Sequence, residues 1–157
     1  MNYFEKFCLV CSTLGPIGYL PASGTVATIV TMLFLWGAAW LGLSSFYLFH
    51  SIVALVGISV FIVHGALFHF SCDDPSAIVL DEVVGYLFAV SIFPLTWPWM
   101  IGVALVFRFF DILKPLGIKK IEALGGAAGI ISDDLLAGFY TWIVIVLGCI
   151  GYDIWFR

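Results

Sequence analysis

Hydrophobic residues run almost unbroken along this chain, and the few polar positions that interrupt them mark out its elements. A short amphipathic piece opens the chain and passes into LGPIGYLPASGT, whose three glycines and two prolines rule out a continuous helix. The run TVATIVTMLFLWGAAWL then begins at Thr25, with Ser23 or Thr25 as its N-cap. A break at 42–45 separates it from an apolar segment over 46–70. Both runs are long enough to span a bilayer core of about 30 Å, which needs about 20 helical residues, and together they predict a hairpin.

Prolines predict two further helices. Asp74 before Pro75 joins a capping residue to the residue favoured at the first helical position, so a helix is expected from 75 to about 93, ahead of Pro94. Pro98 starts another, which ends near Lys114 before Pro115 and Gly117. The stretch 115–131 reads as a loop. It closes on Ser132, Asp133 and Asp134, an N-cap and acidic first turn for a last helix from 133 to about 152. The pattern is that of an all-α, polytopic membrane protein with about five membrane helices and one domain over 1–157.

Composition agrees. Hydrophobic residues make up 63% of the chain and charged residues 10%, with a mean hydropathy of +1.16, against about 45–50% and about 25% in soluble domains. The cations form no phosphate-tracking stripe, which sets nucleic acid aside. The opening MNYFEKFCLVC lacks the basic and apolar regions of a signal peptide. Cys8 and Cys11 form a CxxC with no second pair or histidine to complete a zinc site, so the cysteines read as small buried thiols.

Charge gathers in two places. Segment 108–134 holds Arg108, Lys114, Lys119 and Lys120, together with Asp111, Glu122, Asp133 and Asp134. Segment 73–82 adds Asp73, Asp74, Asp81 and Glu82. A charged group at a membrane-helix centre costs roughly 2.5–3.5 kcal/mol. Asp81, Glu82, Arg108 and Asp111 must therefore pair, bind a cation, or both. Gly85 and Ala89, like Ala137 and Gly138, leave room for close helix packing beside the carboxylates, so the two clusters read as halves of one pocket.

Many carboxylates and few histidines favour a hard cation such as Mg2+. Arg108, Lys114, Lys119 and Lys120 suit phosphate, and Gly24 and Thr25 at a helix start offer backbone N–H groups to an anion. The combination suggests Mg2+-dependent phosphoryl chemistry on a membrane substrate. Lys6, Lys114, Lys119 and Lys120 place this face in the cytoplasm under the positive-inside rule. Plainer roles compete at each position. Asp133 and Asp134 could be a capping pair, Thr25 an N-cap, Arg108 with Asp111 a structural ion pair, and His50, His64 and His69 core or interface residues. Trp97 and Trp99 read as interfacial anchors. A small ion-coupled transporter would also use intramembrane carboxylates, but with broken helices and midplane charge.

The pieces PASGT, DDPSAIVLDEVVG, FRFFDILKP and GGAAGIISDDLLAG, in this order, resemble the phosphatidylglycerophosphatase A family of lipid phosphatases. The resemblance implies an all-helical membrane enzyme that uses Mg2+ to hydrolyse the phosphomonoester of phosphatidylglycerophosphate, a membrane phospholipid, on the cytoplasmic side of a bacterial inner membrane. It marks Thr25, Asp81, Glu82, Arg108, Asp111, Lys114, Asp133 and Asp134. The motifs of cysteine, histidine and aspartyl phosphoenzymes are missing from the chain, as are those of metal-free lipid phosphatases. The expected route is direct attack by metal-activated water. Asp81, Glu82, Asp133 and Asp134 are then candidate metal ligands and Gly24, Thr25, Arg108 and Lys114 the substrate-binding set. Arg108 and Lys114 neutralise the phosphoryl group, and Asp111 orients Arg108 or acts as base.

Overall fold

The computed structural model describes residues 2–71 and 75–156, and all regular structure among them is helical. Helix α1 (Tyr3–Ser12) starts in a capping box: the Asn2 side chain accepts from the Phe4 and Glu5 N–H groups, and Glu5 accepts from Asn2 N–H. A 3-10 turn at Ile17–Tyr19 leads into α2 (Ser23–Trp40) and α3 (Ser45–Leu67). Four helices follow: α4 (Leu80–Val90), α5 (Trp97–Leu113), α6 (Ile118–Glu122) and α7 (Gly126–Phe156).

Three of these, α2, α3 and α7, are long and apolar enough to cross a membrane. Helix α5 has 17 residues and α4 only 11, so α4 is about 16 Å long at about 1.5 Å per residue. The α4–α5 hairpin lies among the longer helices. Tyr86, Val90, Met100, Val103 and Phe107 are fully buried there, with Leu35 of α2 and Ala137 of α7. Its polar groups are answered within the core. Tyr86 donates to the Met100 carbonyl at 3.1 Å, and the Trp142 indole donates to the Phe88 and Ala89 carbonyls in the last turn of α4 at 3.1 and 2.9 Å.

Helix α4 meets α7 closely because small residues line the seam. A Cβ on Gly85 would come within 2.7 Å of the Asp134 Cβ, and one on Gly138 within 3.1 Å of the Gly85 carbonyl oxygen. By contrast α2 and α3, neighbours in the chain, do not pack on one another. Each lies against α4 instead. A second apolar cluster, Val63, Ile78, Ala127, Ile130 and Ile131, joins α3 to the start of α7.

The structure departs from the sequence expectations at four helix starts. Helix α4 begins at Leu80, not at 75, because residues 75–79 make tertiary bonds: Val79 N–H donates to the Ser12 carbonyl, and the Ser23 hydroxyl to that of Ser76. Those bonds outweigh the local proline signal; Asp74 lies outside the described residues. Helix α7 begins at Gly126, which like Gly125 before it is left-handed. The GGAAG segment is thus helical, its alanines being strong helix formers, and Asp133 and Asp134 sit two turns inside the helix, not at its cap. Neither Ser23 nor Thr25 caps α2; Ala22, left-handed at φ 54°, holds that position without a side-chain bond. The expected loop at 115–131 contains α6, entered through left-handed Lys114, Leu116 and Gly117. Of the cysteines, Cys8 is buried, Cys11 half-buried and Cys149 exposed, and all three are free; Cys72 is outside the described residues.

Candidate active site

The chain direction brings four helix segments to one end of the hairpin. The start of α2 supplies Gly24 and Thr25, the first turn of α4 Asp81 and Glu82, the end of α5 Arg108, Asp111 and Lys114, and the third turn of α7 Asp133 and Asp134. All nine line one cleft of about 690 Å³, whereas Lys119 and Lys120, also suited to phosphate from the sequence, are not among its lining residues. Asp73 and Asp74, which complete the second charge cluster of the sequence, lie outside the described residues.

Two ion-pair groups organise the cleft. On one wall Arg108 Nη1 bonds Asp111, three residues on along α5, and stands 3.8 Å from Glu82 Oε1. On the other, Lys114 Nζ donates to Asp133 Oδ2 at 2.7 Å and to Glu122 Oε1 at 2.8 Å. Burial alone would pull the Lys114 ammonium down, but its bonds to Asp133 and Glu122 outweigh that, and its pKa rises above the ordinary lysine range. These bonds favour the charged form of Lys114.

Between the two groups lies a set of acceptors. Asp81, Glu82 and Asp134 each bring a carboxylate oxygen into a group in which all lie within 4.8 Å of one another. Asp81 Oδ1, Glu82 Oε2 and Asp134 Oδ2 are buried and have no hydrogen-bond partner, as is also true of Arg108 Nε. Three carboxylates this close, with unanswered lone pairs, are costly unless a cation joins them. An all-oxygen donor set at this spacing fits a hard divalent ion. Asp133 is not in this group; its carboxylate is engaged by Lys114 and by the Asp134 N–H at 2.9 Å. Adjacent residues on a helix point about 100° apart, and this separates the two neighbours on α7.

Space beside position 24 is taken up by the charged side chains of the cleft. A Cβ there would run into the Glu82 carboxylate and sit 2.9 Å from Arg108 Nη1. At Gly18, in the loop before α2, an added Cβ would collide with the Ala77 carbonyl, so the two segments that rim the cleft close tightly on each other. Glu122 was seen in the sequence as part of the charge cluster but not as a site residue. It returns to Lys114 only because the left-handed turn after α5 folds α6 back, which helical spacing along one element does not reveal.

Fold and site together define a helical membrane protein with a buried cleft in which an all-oxygen acidic group faces arginine and lysine. The chain belongs to the phosphatidylglycerophosphatase A family, whose model matches residues 10–148. It is 36% identical over 109 residues to the phosphatidylglycerophosphatase A of Haemophilus influenzae, covering 60% of this chain and 67% of that protein. The like-named protein of Escherichia coli is 30% identical over 93 residues, 57% of this chain and 54% of its own length. A Bacteroides thetaiotaomicron protein named "Putative phosphatidylinositol-3-phosphatase" is 42% identical over 78 residues, 48% of this chain and 49% of that protein. The matches thus span between about half and two thirds of these curated relatives. No solved structure gives a significant match.

Proposed function

We propose that this chain is a Mg2+-dependent lipid phosphatase that hydrolyses the phosphomonoester of phosphatidylglycerophosphate to phosphatidylglycerol and phosphate. The observation that carries the proposal is the juxtaposition of three buried, unpartnered carboxylate oxygens with Arg108 and Lys114 in a chain of this family. Asp81, Glu82 and Asp134 would hold the ion, with Asp133, placed fourth from the sequence, acting through Lys114. The chemistry that Mg2+ supplies when bound is charge neutralisation at a phosphoryl oxygen and a more acidic water.

The chain's own groups account for the rest. Arg108 and Lys114 offset the phosphoryl charge, and Asp111 holds the guanidinium in place. The N–H groups of Ser23, Gly24 and Thr25, which a helix start leaves without intrahelical partners, can donate to a phosphoryl oxygen at the cleft wall. In hydrolysis water forms the new P–O bond, the bond to the glycerol oxygen breaks, and that oxygen takes up a proton. Transport is not favoured, because the charges collect at one end of the hairpin. The exposed Lys119 and Lys120 beside the cleft support a cytoplasmic placement in a bacterial inner membrane. The α4–α5 hairpin would then add the further two membrane passages expected from the sequence, α4 reaching less deeply than the rest.

The test is phosphate release from phosphatidylglycerophosphate by the purified chain, with Mg2+ or EDTA, beside Asp81→Asn. Release that needs both the ion and Asp81 is the expected result. Phosphatidylinositol 3-phosphate serves as the competing substrate, given the similarity to the Bacteroides protein, and preferential release from it would replace the substrate assignment. Gly24→Ala is expected to lower turnover roughly tenfold or more by displacing Glu82 from Arg108. Its thermal stability should change by less than about 1.5 kcal/mol, because the displaced atoms end a flexible side chain. Unchanged turnover would show that the close approach at Gly24 has no functional weight.

A further inference from the structure

Because α2 and α3 make no close backbone approach, a groove of about 390 Å³ opens between them beside α4. Its walls are Val30 and Phe34 on α2 and Leu48 and Leu55 on α3, and its floor is Val83 and Leu87. No charged residue lines it. Its one polar side chain, Thr31, already donates its hydroxyl to the Ala27 carbonyl at 2.8 Å. Water would find no partner there, so the groove accepts hydrocarbon. Both walls belong to helices long and apolar enough to cross a membrane, so that hydrocarbon comes from a bilayer lipid.

We propose that this groove holds one acyl chain of the phospholipid whose phosphate occupies the cleft, an inference that rests on the lipid phosphatase reading. The two sites share their elements. Glu82 faces the cleft and Val83, the next residue, floors the groove, with Leu87 one turn deeper. On α2, Gly24 and Thr25 lie at the cleft, while Val30 and Phe34 lie one to two turns further along. A lipid anchored by its phosphate at the helix starts would lay a chain along that direction, away from the charged end. The groove thus distinguishes a lipid phosphomonoester from a soluble one, since only the former fills it.

The experiment uses the full chain in lipid nanodiscs with a phosphatidylglycerophosphate analogue carrying a diazirine midway along one acyl chain. After illumination, adducts are expected on Phe34, Leu55 and Leu87, and a long-chain competitor should suppress them. Leu87→Trp, which narrows the groove, should reduce those adducts. It should also raise KM for a long-chain substrate about tenfold, the equivalent of losing contact with about two methylenes, while leaving KM for a dihexanoyl substrate unchanged. Adducts spread evenly over outward residues such as Phe61 and Leu147 would overturn the proposal. So would a groove closed to the probe by a second copy of the chain. The wild-type crosslink requires no variant to fold. Competed groove adducts without hydrolysis would uphold the groove and refute the phosphatase reading, whereas hydrolysis with adducts elsewhere would refute the groove alone.

Discussion

Asp134→Asn is expected to lower lipid phosphatase turnover about 100- to 1,000-fold, with little change in the apo protein's stability. The substitution keeps the side chain's size, and so keeps the close seam between Asp134 and Gly85. What it removes is one anionic oxygen from a buried group whose atoms lie within 4.8 Å of one another. A second readout separates binding from chemistry. An ion that binds only the folded chain stabilises it by about 2.7 kcal/mol at 100 times its Kd, so Mg2+ should raise the melting temperature of the wild type and not of the variant. Retention of both turnover and the Mg2+-induced shift would remove Asp134 from the site.

Lys114→Met is expected to cost about 3–5 kcal/mol of stability, the range for stranding one member of a buried ion pair. Asp133 is the residue stranded, its side chain only 6% exposed, whereas Glu122 at 33% can turn to water. Lys114→Met with Asp133→Asn should therefore recover most of the loss while leaving activity low. Denaturant unfolding in detergent reads the difference, and equal destabilisation of the single and double variants would contradict it. The pH dependence has a definite sign. A lysine whose folded pKa is raised contributes stability that is complete below the ordinary lysine value of about 10.4 and is lost as pH climbs through the folded value. The wild-type contribution should accordingly be flat across neutral pH.

Charge made the cleft legible. In a chain this apolar, Asp81, Glu82, Arg108 and Asp111 have few places to go, and small residues at 85, 89, 137 and 138 indicate where two helices can close around them. Their convergence follows from helix direction alone. Helix starts were less legible because local signals compete with distant ones. Pro75 is a good first helical residue, yet the bond from Val79 to Ser12 holds the following residues in turns. The pair Asp133 and Asp134 has the chemistry of an acidic first turn, but Ala127 and Ala128 carry the helix back past them. Glu122 was hidden for a different reason, since its partner lies across a reversal in left-handed backbone that no helical period describes.

The cleft draws its residues from Gly24 near the beginning of the chain and from Asp134 in its last helix. During synthesis Asp81 and Glu82 therefore leave the ribosome well before the helix that shields them. Until α7 is laid against α4, the Gly85 seam is open and those carboxylates face lipid or water. The partial chain lacks the cleft wall that Ile130, Asp133 and Asp134 supply. The binding site thus appears as a single event, set by the docking of α7 against α4.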